Sequence, residues 1–345
     1  MRCYLPFAIV YRAVLAAAVV AVSGIAPAAA QDFYAGKTVT VVVGTDAGGG
    51  YDIYARAIAR HLGRHIAGKP TVIVQNMPGA GSAKAAEFMY ALAPKDGTTI
   101  GLIFPGMVVE PLLQPGKFRF DPTKFEYLGS ADSGTRLCVT HRSSKIKSMD
   151  DAMKIPSTFG GSAPGSSTTD YAQMLINLAG AKMRVVNGYK SSIDTVLAME
   201  RGEVDGICGY DSSSFKSQKP EWYNTSEAHM IQQAGLEPNA ELLKIGVPSI
   251  WDTIKGENRK IAEVVIAQQE FHRPFLAPPG VAAGPLGTLR KAFMATLADG
   301  DFLVDATKMK LSITPKDGEA VALLVKQMFA SPPELVEKVN RALKP

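Results

Sequence analysis

Short apolar runs alternate with segments of helical periodicity along most of the chain. Residues 38–44 (TVTVVVG) are continuously apolar, which predicts a strand covered on both faces. Apolar side chains then recur three or four positions apart over residues 53–66, as on one face of a helix. Residues 71–75 (TVIVQ) and 98–104 (TTIGLIF) predict two further strands, with a helix of small residues at 82–92 between them. This order predicts α/β layers around a mainly parallel sheet.

A second unit with the same alternation begins after residue 134. Its predicted strands are RLCVTH, STFGG, MRVVN and GEVDGIC, and helices separate them. Ser148 is a good N-cap for the short helix SMDDAMK. Residues 286–342 are mostly helical in pattern, and Pro332-Pro333 begins the last helix. No fixed-period repeat or low-complexity run occurs, which excludes solenoids and disordered tails.

The first thirty residues differ in character from the rest. Arg2 and Arg12 give them positive charge, residues 13–22 form an apolar run of about ten residues, and Ala28-Ala29-Ala30 has the A-x-A form of a cleavage site. The run is far shorter than the roughly 20 apolar residues that a membrane-spanning helix needs. We therefore predict a secretory signal peptide over residues 1–30 and a periplasmic location.

The composition of the mature region limits the classes of function. Removing the signal peptide takes away two arginines and no acidic residue, so the formal net charge falls from +5 to +3. This weak imbalance argues against a nucleic-acid binder, which concentrates Lys and Arg in a basic stripe, and it suits a small anionic ligand. About 315 residues exceed what one hydrophobic core usually holds, so two domains are expected.

Two loops share one local architecture: a buried strand, a run of small residues, and the start of a helix. They are residues 45–52 (TDAGGGYD) and residues 160–169 (GGSAPGSSTT). At each, several backbone N–H groups have no partner inside the helix, and the helix dipole adds positive charge. A carboxylate or phosphate binds at such a terminus without a cationic side chain. Two such loops in successive α/β units predict a cleft that holds an anion from both sides.

The sequence supports other kinds of site less well. The first loop departs from the G-x-G-x-x-G spacing of dinucleotide sites, and the second strand ends at Asn76, where an acidic residue is needed. His61 and His65 stand in HLGRH, which lacks the Glu of H-E-x-x-H. No G-x-S-x-G elbow and no Cys/His cluster with metal spacing occurs. We therefore predict no catalytic residues, no cofactor and no metal.

The motifs resemble those of a known family. VVVGTDAGGGYDIYAR is similar to the first-strand signature of Bug-type receptors, the extracytoplasmic solute-binding proteins of tripartite tricarboxylate transporters, whose usual form runs like VVPFAAGGGTDVVAR. The likeness continues through VIVQNMPGAG, APKDGTTIGLI, GGSAPGSSTTDYA and RGEVDGIC, and near the end through FLAPPGVAAGPLGTLRKAF. It thus extends over nearly the whole mature chain.

The resemblance implies a type II periplasmic-binding-protein fold, in which two α/β domains enclose a ligand cleft. Domain 1 would comprise residues 32–132 and 271–345, and domain 2 residues 133–270. The implied partners are a small organic carboxylate and the large and small membrane subunits of the transporter, with the receptor itself a monomer. Family receptors hold the carboxylate between the two loops, which nominates as ligand-binding residues Ala47, Gly48, Gly49, Gly50, Tyr51, Asp52, Ser162, Ala163, Gly165, Ser166, Ser167, Thr168, Tyr189, Lys190 and Ser191.

Several cleft positions depart from the family pattern. Thr45 and Asp46 replace the usual Phe and Ala, and NGYKS only approximates the family's PYKGS. Tyr51 stands at a common Thr position, and Thr169 stands where His is frequent. Asp46 would oppose an anion unless it points away or pairs with a cation. The identity of the carboxylate therefore stays open, and a sensory receptor or a periplasmic hydrolase that uses a serine of the second loop remain alternatives.

Two cysteines follow the signal peptide. Cys138 and Cys208 each lie in an apolar run that predicts a buried strand, and either two inert thiols or one disulfide fits an oxidising periplasm. In the fold that the resemblance implies, the two strands are neighbours, so a disulfide between Cys138 and Cys208 and two free thiols both stay open.

Overall fold

A computed structural model describes residues 33–223 and 225–345, so the predicted signal peptide lies outside the described residues. The strands are β1 (Thr38–Val43), β2 (Thr71–Asn76), β3 (Thr99–Leu102), β4 (Glu126–Ser130), β5 (Arg136–His141), β6 (Ser157–Gly160), β7 (Met183–Val186), β8 (Gly206–Asp211), β9 (Ala228–Ala234), β10 (Pro274–Ala277) and β11 (Lys316–Asp317). The α-helices are α1 (Gly50–Leu62), α2 (Ala83–Ala91), α3 (Pro105–Leu113), α4 (Met149–Lys154), α5 (Ser167–Ala179), α6 (Ser192–Glu200), α7 (Ser212–Gln218), α8 (Ala240–Lys244), α9 (Ile250–Thr253), α10 (Glu257–Ile266), α11 (Ala283–Leu297), α12 (Gly300–Lys308), α13 (Gly318–Phe329) and α14 (Pro333–Leu343). None of these helices combines the length and apolar character needed to cross a bilayer.

The strands form two sheets. The first has the order β11-β4-β10-β3-β1-β2, and the second has the order β7-β6-β8-β5-β9. We call each sheet with the helices that cover it the first lobe and the second lobe. The chain leaves the first sheet after Ser130 in β4 and returns to it at Pro274 in β10. Both connections between the lobes therefore lie close to the ends of strands, where a hinge between lobes is expected.

The sheets are mixed rather than mainly parallel. β1 pairs in parallel with β2 and β3, and β6 pairs in parallel with β7 and β8. β10 runs antiparallel to β3 and β4, and β5 runs antiparallel to β8 and β9. β5 and β10 are the strands at which the chain enters or returns to a sheet from the other lobe, a long-range effect that the local pattern does not encode. The two-residue strand β11 is also antiparallel, to β4.

The hydrophobic pattern explains the core of the first lobe. Val39, Val41, Val42 and Val43 of β1 are all buried, as expected for a strand covered on both faces. In α1 the apolar positions at helical spacing, among them Ile58 and Leu62, are buried against the sheet. This packing fixes the direction in which α1 leaves the first Gly-rich loop.

The C-terminal helix packs against the second lobe. Val339 of α14 belongs to the same buried cluster as Met174 of α5 and Val265 of α10, and Val109 and Leu113 of α3 join that cluster. The two cores thus meet along α3, whose Met107 and Val108 belong to the core of the first lobe. The domain boundaries at residues 132/133 and 270/271 remain a proposal. They assign α14 to domain 1, whereas its buried residues pack in the core of the second lobe.

Cys138 in β5 and Cys208 in β8 are joined by a disulfide in the structure, with an S–S distance of 2.06 Å. The two strands are antiparallel neighbours, and both side chains are buried. A bond here would close a loop of 70 residues within the second lobe.

We expect protein purified from the periplasm to carry this disulfide. Its intact mass without reductant should lie two hydrogens below that of the reduced chain, and replacing both cysteines by serine should lower the free energy of unfolding by about 2–4 kcal/mol. Detection of two free thiols in the exported protein would refute the pairing.

Candidate functional site

The first loop joins β1 to α1 and is held by a carboxylate from the helix that follows it. Gly48 adopts φ +82°, a left-handed conformation that residues with a Cβ rarely take. Its N–H donates to Oδ2 of Asp52 (2.9 Å), and Arg56 and Asn76 also donate to this carboxylate, each at 2.9 Å. Burial raises the pKa of Asp52, but these hydrogen bonds outweigh burial and hold it below its ordinary value. Asp52 is therefore an ionised clamp on the loop.

The second loop, between β6 and α5, has the same construction. Gly165 also adopts φ +82°, and its N–H donates to Oδ1 of Asp170 in the first turn of α5 (3.1 Å). Inside the loop, the N–H of Ser162 donates to Oγ1 of Thr168 (3.1 Å). Burial, together with the nearby Glu110, raises the pKa of Asp170 well above its ordinary value. This carboxyl group therefore holds the second loop as Asp52 holds the first, but in a setting that disfavours its charged form.

The two loops meet around one narrow cavity between the lobes. The start of α1 and the start of α5 both reach its wall, so unpaired N–H groups from two helix N-termini face the same space. Of the residues predicted to bind ligand, the wall contains Gly49, Gly50, Tyr51, Ser162, Ser166, Ser167, Thr168 and Ser191.

The other predicted ligand residues do not reach this wall. Gly48, Asp52 and Gly165 hold the loops in shape, and Ala47 is exposed to solvent. Ala163, Tyr189 and Lys190 line a neighbouring depression between the lobes, beside Gly79 and Gly81. Their expected direct contact with the ligand therefore has no support in the geometry, although they border the cleft.

Two arginines lie on the cavity wall, Arg136 and Arg273, and neither was predicted from the sequence to bind ligand. The wall residues that were not predicted to bind ligand are Thr45, which the sequence places in the first loop, and Phe104, Arg136, Ser192, Gly209, Tyr210, Asp211, Ser214 and Arg273. Arg136 is the first residue of β5, and Arg273 immediately precedes β10. The only signal in the sequence is that each is a single cation beside an apolar run, in RLCV and in RPFLA.

Arg273 has several partners, although its Nε is buried without a hydrogen-bond partner. It is 1% exposed, and its Nη2 donates to Oδ1 of Asp211 (3.1 Å) and to Oγ of Ser214 (2.8 Å). Its guanidinium lies 4.2 Å from the ring centroid of Tyr51 and 4.5 Å from that of Tyr54, in cation–π contact with both. Because Tyr51 and Tyr54 belong to α1 and Asp211 to β8, Arg273 connects the two lobes beside the cavity.

A buried acid and a buried histidine lie next to this arginine. His272 Nδ1 is 3.5 Å from Oδ2 of Asp132 and 3.4 Å from Oδ2 of Asp211. Burial and the positive charges of Arg136 and Arg273 keep the pKa of His272 well below its ordinary value, so the imidazole is neutral. Burial and the charge of Asp211 raise the pKa of Asp132 to about 6. Burial also acts to raise the pKa of Asp211, but Arg273 and Arg136 hold it below its ordinary value.

This group has the donor types of a metal site. One potential ligand atom each of Asp132, Asp211 and His272 lies within 4.8 Å of the others. The guanidinium of Arg273 already occupies Oδ1 of Asp211. A second guanidinium, from Arg136, adds to the positive potential felt by His272. Two adjacent cations oppose a third, so the chemistry of the group favours binding of anions.

Further contacts join the lobes around the cavity. Lys190 Nζ lies 3.7 Å from Oδ2 of Asp46, so the acid in the first loop is paired with a cation from the second lobe. Both side chains are well exposed, and the pair therefore contributes little stability. Gln218 Nε2 donates to the carbonyl of Gly48 (3.2 Å), and the hydroxyl groups of Tyr54 and Ser213 lie 2.8 Å apart. The lobes thus stand in a closed arrangement.

Two curated proteins are similar in sequence to part of this chain. No protein-family model matches the chain. A UPF0065 protein of Cupriavidus necator is 33% identical over 205 residues, which is 57% of this chain and 61% of the relative. A UPF0065 protein of Agrobacterium vitis is 27% identical over 187 residues, 52% of this chain and 53% of the relative. The chain therefore spans less than two thirds of the length of these curated relatives.

Solved structures match over nearly the full length. The periplasmic binding protein BugD superposes with a TM-score of 0.70 at 19% identity, covering 89% of this chain and 97% of BugD. MatC of Rhodopseudomonas palustris, solved with malate, gives 0.69 at 18% identity and coverage of 88% and 99%. An R. palustris protein solved with adipate gives 0.70 at 20% identity and coverage of 88% and 97%. The chain therefore has the two-domain fold of the Bug-type periplasmic binding proteins, as the sequence resemblance predicts.

Proposed function

We propose that this protein is a periplasmic solute receptor that captures a small organic carboxylate by closing its two lobes around it. In this proposal the closed receptor then delivers the carboxylate to the membrane subunits of a tripartite tricarboxylate-type transporter. The observation that carries the proposal is the pair of helix N-termini, one from each lobe, on the wall of a single cavity.

Electrostatics supports an anionic ligand. Each helix N-terminus carries partial positive charge, and the wall adds two buried guanidinium groups. Hydroxyl donors from Ser166, Ser167 and Thr168 complete a surface that is rich in donors. Two structural neighbours, solved with malate and with adipate, show that this fold accommodates small carboxylates.

Binding without chemistry is the simplest role for the serines of the second loop. Ser166 Oγ donates to the carbonyl of Ala163 (2.6 Å) and contacts the hydroxyl groups of Thr168 and Thr169 at 3.2 Å. In the described part of the chain no histidine is hydrogen-bonded to a serine of this loop, whereas a nucleophilic serine needs such a base. His272 lies beside the cavity but is buried and bordered by Asp132 and Asp211.

A ligand screen tests the proposal. We expect protein purified from the periplasm to be stabilised against heat by at least one member of a panel of mono-, di- and tricarboxylates, because a ligand that binds only the folded state raises the unfolding temperature. Isothermal titration then gives the affinity. A panel in which every carboxylate leaves the unfolding temperature unchanged would exclude a carboxylate receptor.

A further inference from the structure

Arg136 is a buried cation that forms no salt bridge within the described residues. It is 3% exposed, it lies on the cavity wall, and its Nε is buried without a hydrogen-bond partner. Within residues 33–223 and 225–345, no carboxylate lies within salt-bridge distance of its guanidinium. Asp211 attracts it from a greater distance, and the hydroxyl group of Tyr171 is its neutral neighbour. Arg273, on the same wall, has Asp211, Ser214 and two tyrosine rings as partners.

An unpaired guanidinium in this position is costly for the protein. Arginine remains charged at all physiological pH values, so it cannot escape the cost of burial by losing a proton. Burying a charge without a hydrogen-bonded counter-ion is strongly unfavourable. A buried arginine that faces a cavity is therefore best explained by a counter-ion that arrives with the ligand. The planar fork of guanidinium donors matches the two oxygens of a carboxylate.

The charges of the wall leave Arg136 available for such a counter-ion. Oδ1 of Asp211 accepts hydrogen bonds from Arg273, Ser213 and the backbone N–H of Ser214. Oδ2 of Asp211 faces His272. Asp132 is engaged by Tyr54, Thr314 and His272. Oδ2 of Asp211 has no hydrogen-bond partner, but neither acid comes within salt-bridge distance of Arg136. Only a ligand can therefore neutralise Arg136 at close range.

We infer that Arg136 forms a second anion subsite, which binds a second carboxylate of the ligand while the two helix N-termini bind the first. This inference rests on the proposed function, because it assigns the second acidic group of the proposed carboxylate. Arg136 is on the cavity wall and is the first residue of β5, whereas the N-termini belong to α1 and α5. A ligand with acidic groups at both ends would meet both sets of donors. Arg136 would then select dicarboxylates over monocarboxylates of the same length.

Matched ligand pairs test the subsite. Titrations of succinate against butyrate, and of adipate against hexanoate, should show that the wild-type protein prefers the diacid of at least one pair by about 30-fold. Arg136→Met should remove this preference by weakening the diacid to the level of the monoacid, with monoacid affinity unchanged. Arg136→Lys retains charge but not the planar fork and should retain part of the preference.

Stability distinguishes a binding role from a structural one. Arg136→Met should unfold at a denaturant concentration close to that of the wild type. It loses the long-range attraction between Arg136 and Asp211, but it also removes a buried charge that forms no salt bridge. A lower midpoint for Arg136→Met would overturn the inference and assign Arg136 to the architecture of the second lobe. Equal weakening of diacid and monoacid binding would overturn it too. Arg136 would then bind the same ligand carboxylate as the two helix N-termini. Failure of every carboxylate to bind the wild type would instead refute the proposed function.

Discussion

A single methyl group added at Gly106 should weaken ligand binding by about 100-fold while the protein remains folded. Gly106 lies in the first turn of α3, and an ideal Cβ built there would lie 2.0 Å from the carbonyl oxygen of Gly165 in the second loop. Real Cβ atoms do not approach other atoms closer than 3.0 Å. Gly106→Ala therefore keeps α3 and the second loop from reaching the closed arrangement. Losing the hydrogen bonds from one lobe, two at about 1–1.5 kcal/mol each, corresponds to about 100-fold in affinity.

The fold itself should tolerate this change. Alanine is favoured over glycine inside a helix by about 1 kcal/mol, so the substitution does not weaken α3. Isothermal titration with the carboxylate that binds the wild type measures the affinity, and small-angle scattering compares the radius of gyration with and without ligand. Gly287→Ala in α11 is a matched control, because a Cβ there meets no atom within 4 Å. Wild-type affinity in Gly106→Ala would show that the lobes need not close as far as the structure shows.

Local patterns in the sequence were sufficient to predict the strands and helices that flank the two loops. The apolar run that predicts β1 matches Thr38–Val43, and the predicted cap Ser148 accepts a hydrogen bond from the N–H of Asp151 at the start of α4. Helix α5 begins at Ser167, before the predicted end of its loop, because Asp170 folds back onto Gly165 from within the first helical turn. Strand order and the antiparallel strands depend on long-range connections, which no short window contains.

Local sequence patterns could not predict the charged wall of the cavity, and the reason is physical. Arg136 and Arg273 lie far apart in the sequence, and only the two connections between the lobes bring them to one wall. A single arginine beside an apolar run is usually a solvated strand end, so neither stands out alone. Asp52 was predicted to contact the ligand because of its position in the motif. In the structure its carboxylate instead reaches back four residues and accepts the N–H of Gly48.

The two arginines of the wall should respond to substitution in opposite ways. Arg273 is the main counter-charge of two buried acids, Asp211 and Asp132, whereas Arg136 has no close counter-charge of its own. Removing one partner from a buried ion pair typically costs about 3–5 kcal/mol, because the remaining charge stays buried and uncompensated. We therefore expect Arg273→Met to lower the free energy of unfolding by about this amount at pH 8, a loss that Arg136→Met should not show.

The loss in Arg273→Met should also depend on pH, with a sign that identifies its cause. Without the guanidinium, the pKa values of Asp211 and Asp132 rise in the folded protein, and that of Asp132 is already raised to about 6. A carboxyl group whose folded pKa exceeds its unfolded value of about 3.9 stabilises the fold when protonated, and this stabilisation is lost as the pH rises through the folded pKa. The loss of stability of Arg273→Met relative to wild type should therefore be smaller at pH 5 than at pH 8 in urea unfolding curves.

Adding Asp211→Asn should restore part of the stability at pH 8, because the amide oxygen can still accept from the N–H of Ser214. An equal deficit at both pH values would show instead that Arg273 stabilises the protein by its packing between Tyr51 and Tyr54.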